Sequence, residues 1–320
     1  MALPKSLEGK LRIPLIGAPM FIVSGPELVI AQCKAGIVGS FPALNARPQS
    51  ALNDWLLQIK DELGAYQEAN PDQVVAPYAV NQIAHASNSR LFEDVETCVK
   101  HEVPIIITSL RPPEDIVSAV HAYGGLVFHD VISLRHARKA IAQGVDGIIA
   151  VSAGAGGHAG PTSPFALVKE IRREFHGAVI LSGCITTGSD VVAALALGAD
   201  LAYSGTRFIA TEEARAVPTY KEMIVDSRAE DIVYSSLFTG VPGSYLKGSI
   251  ANAGMDPDNL PEGDKSHMDF SSSDTDAKAW RDIWGAGQGV GTIDDILPTY
   301  EVVMRMEQEY RETLSMLSAR

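Results

Sequence analysis

Short apolar runs recur along the chain and are separated by longer segments with helical spacing of their apolar residues. The runs are almost continuously apolar, as expected of parallel strands buried on both faces, whereas a half-exposed antiparallel strand would alternate apolar and polar residues. The pattern therefore predicts eight buried parallel strands, over residues 12–17, 36–41, 74–80, 104–109, 125–130, 146–151, 178–183 and 199–205.

The segments between these runs are typical of amphipathic or buried helices, and a glycine often closes them. Eight strands, each followed by a helical segment, predict an α/β fold, a (β/α)8 TIM barrel over residues 1–211. A doubly wound open sheet is the alternative, but it needs a G-x-G-x-x-G turn after its first strand. The chain has "GAPMFIVSGPEL" there, which favours the barrel.

The pattern changes after Phe208, where β-like runs become few and turn-rich stretches such as "TGVPGS" and "GMDPDNLPEGD" appear. We expect residues 212–292 to form a smaller, mainly helical lid domain inserted after the eighth strand. Residues 293–320 carry the apolar spacing of one long helix, and we expect this helix to return to the barrel.

Composition narrows the class of protein. The 320 residues are 46% hydrophobic and 20% charged, as in a globular enzyme, and the formal net charge of −13 argues against a nucleic-acid or anionic-membrane surface. The three cysteines are far apart, which indicates a reducing compartment without a disulfide framework. Since the chain shows neither a long apolar run nor a signal-peptide pattern, we expect a cytoplasmic protein without a membrane span.

The last two strand ends carry the first candidate chemistry. In a TIM barrel the turns after the seventh and eighth strands commonly bind phosphate. Here they read "LSGCITTG" and "YSGTRFIAT", and each places Ser-Gly where backbone N–H groups are exposed, at Ser182–Gly183 and Gly205–Thr206. The pair predicts a phosphomonoester site, with tight strand-to-helix turns as the plain alternative.

Other strand ends add weaker candidates. The first strand ends in Ala18, Pro19 and Met20, which suit the face of a planar ring but equally suit core packing. Asn81 follows the third strand and is either a hydrogen-bonding partner of a heteroaromatic edge or a turn former. The fifth strand ends in "FHD", and we favour Asp130 over the preceding histidine as the residue that reaches the barrel mouth.

The stretch "VSAGAGGHAG" follows the sixth strand and holds one ionisable side chain among very small ones. Gly156 and Gly157 let the backbone approach a flat or charged ligand, and His158 is the nearby group that can move a proton near neutral pH. A flexible turn with a surface histidine is the alternative. No metal site is expected, since the other histidines have no clustered Cys, Asp or Glu partners and are typical of surface or capping positions: His85, His101, His121, His136 and His176.

Taken together, "IPLIGAPM", "GAGGHAG", "LSGCITTGSDVVAALALGADLAYSGTRFIAT" and "WGAGQGVGTI" resemble the FMN-dependent nitronate monooxygenases, over residues 12 to 290. The resemblance implies a (β/α)8 barrel with a helical lid and FMN across its mouth. The phosphate would lie at the two Ser-Gly turns and His158 near the reactive face of the flavin. Further contacts implied for the cofactor are Ala18, Pro19, Met20, Asn81 and Gln288.

Two positions depart from the family pattern. Some relatives carry Lys where Asp130 stands, and a carboxylate would not stabilise a reduced, anionic flavin as an ammonium would. Relatives often carry a second glycine where Cys184 stands, a change that a backbone contact would survive. We assign the Cys184 thiol no reactivity.

The resemblance implies that FMN-dependent oxidation of an alkyl nitronate by O2 yields a carbonyl compound and nitrite. His158 would either bind the nitronate oxygens or abstract the α-proton of a nitroalkane. One alternative is an FMN-dependent NAD(P)H oxidoreductase that acts on quinones or enoyl thioesters, and another is a non-catalytic phosphate-ligand protein. A homodimer is a candidate assembly.

Overall fold

A computed structural model describes residues 3–111, 114–261 and 282–319. Its main sheet has eight parallel strands in the order β1-β9-β8-β6-β5-β4-β3-β2. A parallel bridge between Ile16 and Val38 brings the two edge strands together, which confirms the predicted barrel. The barrel strands are β1 (Leu15–Gly17), β2 (Gly39–Pro42), β3 (Tyr78–Ala84), β4 (Ile105–Leu110), β5 (Leu126–Val131), β6 (Gly147–Val151), β8 (Ala178–Ser182) and β9 (Leu201–Ser204).

The barrel strands are mostly apolar because they pack on both sides, and their polar residues include Asn81 of β3, Ser109 of β4 and Asp130 of β5. Along β4, Ile105 and Ile107 belong to the cluster inside the barrel, while Ile106 packs in the layer between strands and helices. Leu7, from a 3-10 helix at Lys5–Leu7, joins the inner cluster and is 1% exposed. The predominantly apolar pattern of the strands therefore reflects two cores, one on each side of the sheet.

The third strand begins later than its apolar run predicts. The run starts at residue 74, but β3 extends over Tyr78–Ala84. Pro77 stands directly before it, and proline has no N–H to contribute to the ladder, so pairing starts after it. Asn81 consequently lies inside β3, paired with Pro42 of β2 and Ile107 of β4, not in a turn.

The helices that surround the barrel are α1 (Pro26–Lys34), α2 (Ala51–Ala69), α3 (Leu91–Lys100), α4 (Glu114–His121), α5 (Leu134–Ala142), α6 (Pro164–Glu174), α7 (Gly188–Leu197) and the short α8 (Thr206–Ile209). The start of α7 has a capping box in which the Thr187 side chain and the Asp190 carboxylate satisfy each other's backbone N–H groups. Its end is Gly198 at φ 107°, a left-handed conformation that favours glycine.

The segment after α8 contains an antiparallel sheet as well as helices. Gly157–His158 forms a two-residue strand, β7, and β11 (Gly243–Leu246) pairs with both β7 and β10 (Ile232–Ser235). The expectation of a mainly helical segment missed these strands, whose four-residue length provides little periodicity to detect. Residues 262–281 of the predicted lid domain lie outside the described residues, and the division into domains stays a prediction.

The helical elements of this segment are α9 (Pro218–Asp226), α10 (Lys247–Asn252) and 3-10 helices at Ala229–Asp231 and Gln288–Thr292. The last helix, α11 (Thr299–Ser318), lies against the barrel helices: Glu309 accepts a 2.7 Å hydrogen bond from the backbone N–H of Gly188. A further 3-10 helix at Ala43–Asn45 follows β2. Within the described ranges, no helix has both the length and the apolarity needed to cross a membrane.

Candidate active site

A cavity of about 540 Å³ lies at the carboxyl ends of the barrel strands. This volume is in the range of small-molecule and cofactor sites, roughly 300–1,000 Å³. Thirteen of the candidates from the sequence line it together: Ala18, Pro19, Met20, Asn81, Asp130, Gly156, Gly157, His158, Ser182, Gly183, Cys184, Gly205 and Thr206.

Gln288 is the candidate that the structure does not bring into the cavity lining. It is the first residue of a 3-10 helix, its side chain is exposed, and its backbone N–H donates to the carbonyl of Gly154 at 2.9 Å. The neighbouring Gly287 and Gly289 line the cavity instead. The implied contact of Gln288 with the cofactor stays a prediction.

The two Ser-Gly turns lie side by side on one wall. Ser204 Oγ donates to the carbonyl of Ile185 at 2.6 Å, which ties the second turn to the first. The backbone N–H groups of Gly183, Cys184, Gly205 and Thr206 have no hydrogen-bond acceptor in the described ranges. Four N–H groups on one wall form a donor set that suits the oxygens of an anionic ligand.

Cys184 occupies a backbone conformation that favours glycine. Its φ is 55°, within the left-handed region, so a side chain here is strained and a glycine would not be. Burial and the nearby Asp190 carboxylate raise the pKa of its thiol, with the Gly289 N–H opposing them. A raised thiol pKa disfavours the nucleophilic thiolate, in line with the absence of a reactive role.

Three strands contribute a hydrogen-bonded chain to the opposite wall. Asn81 of β3 donates from Nδ2 to Ser109 Oγ of β4 at 2.8 Å, and Ser109 donates to Asp130 Oδ2 of β5 at 2.5 Å. Burial raises the pKa of Asp130 to about 6, although the hydrogen bonds from Ser109 and the Leu110 backbone lower it. The preceding His129 does not line the cavity; its Nδ1 meets Thr108 Oγ1 at 2.8 Å and its side chain is buried.

His158 is held by an element that lies 80 residues further along the chain. Its strand β7 pairs with β11, with Gly243 opposite His158, and its Nε2 meets Thr239 Oγ1 at 2.8 Å. Burial lowers the pKa of His158 to about 4, so the imidazole is neutral at pH 7. A neutral imidazole has one N–H donor and one lone pair, and can therefore act as either a base or a hydrogen-bond donor.

The sequence analysis missed several lining residues, including Ser109, Tyr203 and Thr239. Ser109 and Tyr203 lie at or near strand ends, so their strand assignment could have suggested them. Thr239 lies in the connection between β10 and β11 and no local motif marks it. Tyr245 and Lys247 of the nearby β11–α10 segment lie outside the lining. Tyr245 is buried against Phe238, and Lys247 pairs with Asp258 at 2.8 Å.

Four of the remaining histidines bond to nearby polar groups, among them His101, whose Nε2 meets Asn53 Oδ1 at 2.9 Å. His85 Nδ1 meets Ser87 Oγ at 2.8 Å and His136 Nδ1 meets Ser133 Oγ at 2.9 Å. His121 contacts the Asp146 carboxylate at 2.8 Å, a partner that the sequence did not suggest. In the part of the chain that the structure describes, no three His, Cys, Asp or Glu side chains are grouped so as to hold a metal ion.

The family model of nitronate monooxygenase matches residues 6–309. The chain belongs to the nitronate monooxygenase family. It is therefore an enzyme, an oxidoreductase of this family. The nitronate monooxygenase of Paraburkholderia phytofirmans is 27% identical over 95% of this chain and 94% of that protein.

Solved structures share the fold over nearly the whole chain. The nitroalkane oxidase of Streptomyces ansochromogenes superposes with a TM-score of 0.80 at 21% identity, over 98% of this chain and 100% of that one. FabK of Thermotoga maritima superposes with a TM-score of 0.76 at 25% identity, over 97% of this chain and 96% of that one. Both likenesses support the TIM barrel as the fold of this chain.

Membership in the nitronate monooxygenase family implies a flavin cofactor. The cavity fits such a group in two respects. Its volume of about 540 Å³ is sufficient for a cofactor, and the wall with the four unpartnered N–H groups suits an anionic substituent. Gly157 also lines the cavity, and a Cβ built there would meet no heavy atom within 4 Å. The backbone at Gly157 therefore faces open space, which a larger side chain would partly fill.

Proposed function

We propose that this enzyme oxidises alkyl nitronates, and nitroalkanes after loss of their α-proton, with FMN as cofactor and O2 as oxidant. The products would be a carbonyl compound and nitrite. The observation that carries the proposal is His158, a neutral histidine on the wall of the cavity of a nitronate monooxygenase family member.

Different residues of the cavity would bind the phosphate and the ring of FMN. The N–H groups of Gly183, Cys184, Gly205 and Thr206 would hold the phosphate, and Ala18, Pro19 and Met20 would lie near the ring. When bound, FMN supplies the electron acceptor that the protein side chains lack. The protein then orients the substrate and holds or moves its proton.

The protonation state of His158 decides which substrates need it. A nitronate is already an anion and needs no base, so His158 would contribute a hydrogen bond to its oxygens. A neutral nitroalkane must lose its α-proton, and the lone pair of a neutral imidazole can accept it. Because burial keeps His158 neutral at pH 7, both roles are available to one side chain at different stages.

The proposal is tested on the purified protein by its visible spectrum and by oxygen uptake. We expect bound flavin, released as FMN on denaturation, and consumption of O2 with a nitronate in the absence of NAD(P)H. Nitrite should form in parallel with oxygen uptake. A protein that neither carries flavin nor binds added FMN would contradict the proposal.

An FMN-dependent NAD(P)H oxidoreductase acting on quinones or enoyl thioesters is the second candidate. The likeness to FabK, at 25% identity and a TM-score of 0.76, gives it some support. Oxidation of NADH that requires a quinone or an enoyl thioester, without turnover of a nitronate, would favour this candidate over the first.

The cellular and assembly expectations remain proposals. Cys33 and Cys98 are buried and Cys184 is exposed, all as free thiols, and a reducing cytoplasm would suit them. A homodimer would show in solution as twice the chain mass of 34.1 kDa by light scattering.

A further inference from the structure

Asp130 presents a carboxyl group to the cavity without a cation beside it. Across the described ranges, no Lys, Arg or His forms an ion pair with it, and its partners are the Ser109 hydroxyl and the Leu110 backbone N–H. A carboxylate that is buried with hydrogen bonds alone is poorly compensated for the loss of water. Any further negative charge in the cavity would therefore favour its protonated form.

The hydrogen-bond chain determines which oxygen would carry that proton. The Asn81 amide donates to both the Ile107 carbonyl, at 3.3 Å, and Ser109 Oγ, at 2.8 Å. Since Ser109 Oγ accepts from Asn81, its own hydrogen is directed to Asp130 Oδ2, at 2.5 Å. A proton taken up by the carboxyl group is therefore carried by Oδ1.

The other ionisable groups of the cavity are less suited than Asp130 to take up a proton near pH 7. Burial and the charge of Asp130 raise the pKa of Tyr203, so its phenol stays neutral. Burial also raises the pKa values of Tyr220 and the Cys184 thiol, while His158 is neutral at pH 7. Arg47 and Arg90 belong to the loops that follow β2 and β3. Burial raises the pKa of Asp130 to about 6, whereas it lowers the pKa of His158 to about 4.

We propose that Asp130 takes up one proton from solvent when the cofactor of this cavity is reduced. The inference rests on the proposed flavin function. On reduction by the nitronate or by an electrode mediator, the flavin would take up two electrons from that donor and one proton from solvent. A second proton from solvent would convert the Asp130 carboxylate to the carboxylic acid. No covalent bond to Asp130 forms, and reoxidation returns its proton to solvent. Proton uptake by Asp130 would thus offset the negative charge that reduction brings into the cavity.

Spectroelectrochemical titration of the flavin-loaded protein between pH 6.5 and 8.5 tests the inference. The wild type should take up two protons per two electrons, and Asp130→Asn should take up one. Asp130→Lys should also take up one, because a permanent cation replaces the proton. As a matched control, Asp61→Asn on the exposed face of α2 should behave as the wild type. An equal proton count in the wild type and in Asp130→Asn would overturn the inference.

A second variant covers the case in which Asp130→Asn loses flavin. Ser109→Ala removes a donor to the charged carboxylate, which raises the pKa of Asp130. The pH at which the proton count changes from one to two should then rise by about one pH unit. An unchanged transition pH would overturn the inference.

Flavin-free protein separates the failure of this inference from the failure of the proposed function. If no flavin binds, the proposed function fails, and urea unfolding still reports on Asp130. Its raised pKa stabilises the folded state below about pH 4, and this contribution is lost as the pH rises to 6. Asp130→Asn should therefore gain stability relative to the wild type between pH 4 and 6, and a constant difference would show that Asp130 does not titrate as proposed.

Discussion

At the scale of single residues, the chemistry of the cavity depends on groups kept neutral by burial. Burial lowers the pKa of His158 to about 4, so its imidazole is neutral at pH 7. Burial raises the pKa of the Asp130 carboxyl to about 6, which brings it close to protonation at pH 7. The same environment keeps the Cys184 thiol protonated. A substrate that enters would therefore meet neutral His158 and Cys184 side chains at these positions.

Replacing His158 tests its role as a base. We expect His158→Asn to retain FMN while kcat/KM for a neutral nitroalkane falls about 100-fold or more, and for its nitronate much less. The wild-type kcat/KM for the nitroalkane should persist as the pH falls from 7 to 5 and decline near pH 4, since the base form is present only above its pKa. His176→Asn, at an exposed position, is the control. Equal losses on both substrates would contradict a base role.

At the scale of elements, the β10–β11 hairpin positions His158 through two contacts. Its strand β11 pairs with the backbone of Gly157 and His158, and its connection supplies Thr239 to the imidazole. Thr239 Oγ1 also donates to the Val241 carbonyl at 3.1 Å, which leaves it as the acceptor of a hydrogen on His158 Nε2. In that arrangement the lone pair of the neutral ring lies on Nδ1.

Thr239 is consequently expected to act through His158 as a positioning residue. Thr239→Val should lower kcat/KM for a nitroalkane about fivefold to tenfold, since a neutral hydrogen bond contributes about 1 kcal/mol. Thr239→Ser should restore most of the rate, because it keeps the hydroxyl. Nitrogen NMR chemical shifts of the ring would report the tautomer directly. Loss of rate in both variants, with an unchanged tautomer, would point to a role in packing instead.

Gly188 lies at the contact between α7 and α11, and Gly64 in α2 is a matched control for it. At Gly188, a Cβ would lie 1.9 Å from the Met306 carbonyl oxygen, whereas at Gly64 in α2 it would meet nothing within 4 Å. We expect Gly188→Ala to lower the free energy of unfolding by about 2 kcal/mol through overpacking. Gly64→Ala should raise it by about 0.5–1 kcal/mol through its higher helix propensity. Urea unfolding measures both, and similar values for the two variants would contradict the packing at α11.

At the scale of the whole molecule, the barrel combines two cores with one open end. The inner and outer apolar clusters provide burial around the full circumference, so the strand ends are free to carry polar groups. The pH dependence of the free energy of unfolding belongs to this scale, because it is the sum over all groups whose pKa burial has shifted.

Stability should fall as the medium is acidified from pH 6.5 to 4, because the contributions of His129 and His158 together exceed the opposite contribution of Asp130. His129 and His158 have pKa values lowered to about 4, so the unfolded chain binds protons in this range that the folded chain excludes. The buried His129 alone can account for up to about 3 kcal/mol. Urea unfolding at pH 7 and pH 5 should show the loss, and a smaller loss in His129→Gln. Equal pH dependence in this variant and the wild type would contradict the assignment.

The amino-acid sequence by itself determined the barrel, and it predicted the rim of the cavity and thirteen of the residues that line it. Buried parallel strands must be apolar on both faces, and strand ends share one rim, so local pattern suffices for these features. Tertiary structure decided that Asn81 sits within a strand, that Gln288 lies outside the cavity, and that Ser109 and Thr239 orient Asp130 and His158. These contacts join residues 21 to 81 positions apart, and the charge state of a buried group depends on such partners and on excluded water, which no local pattern encodes.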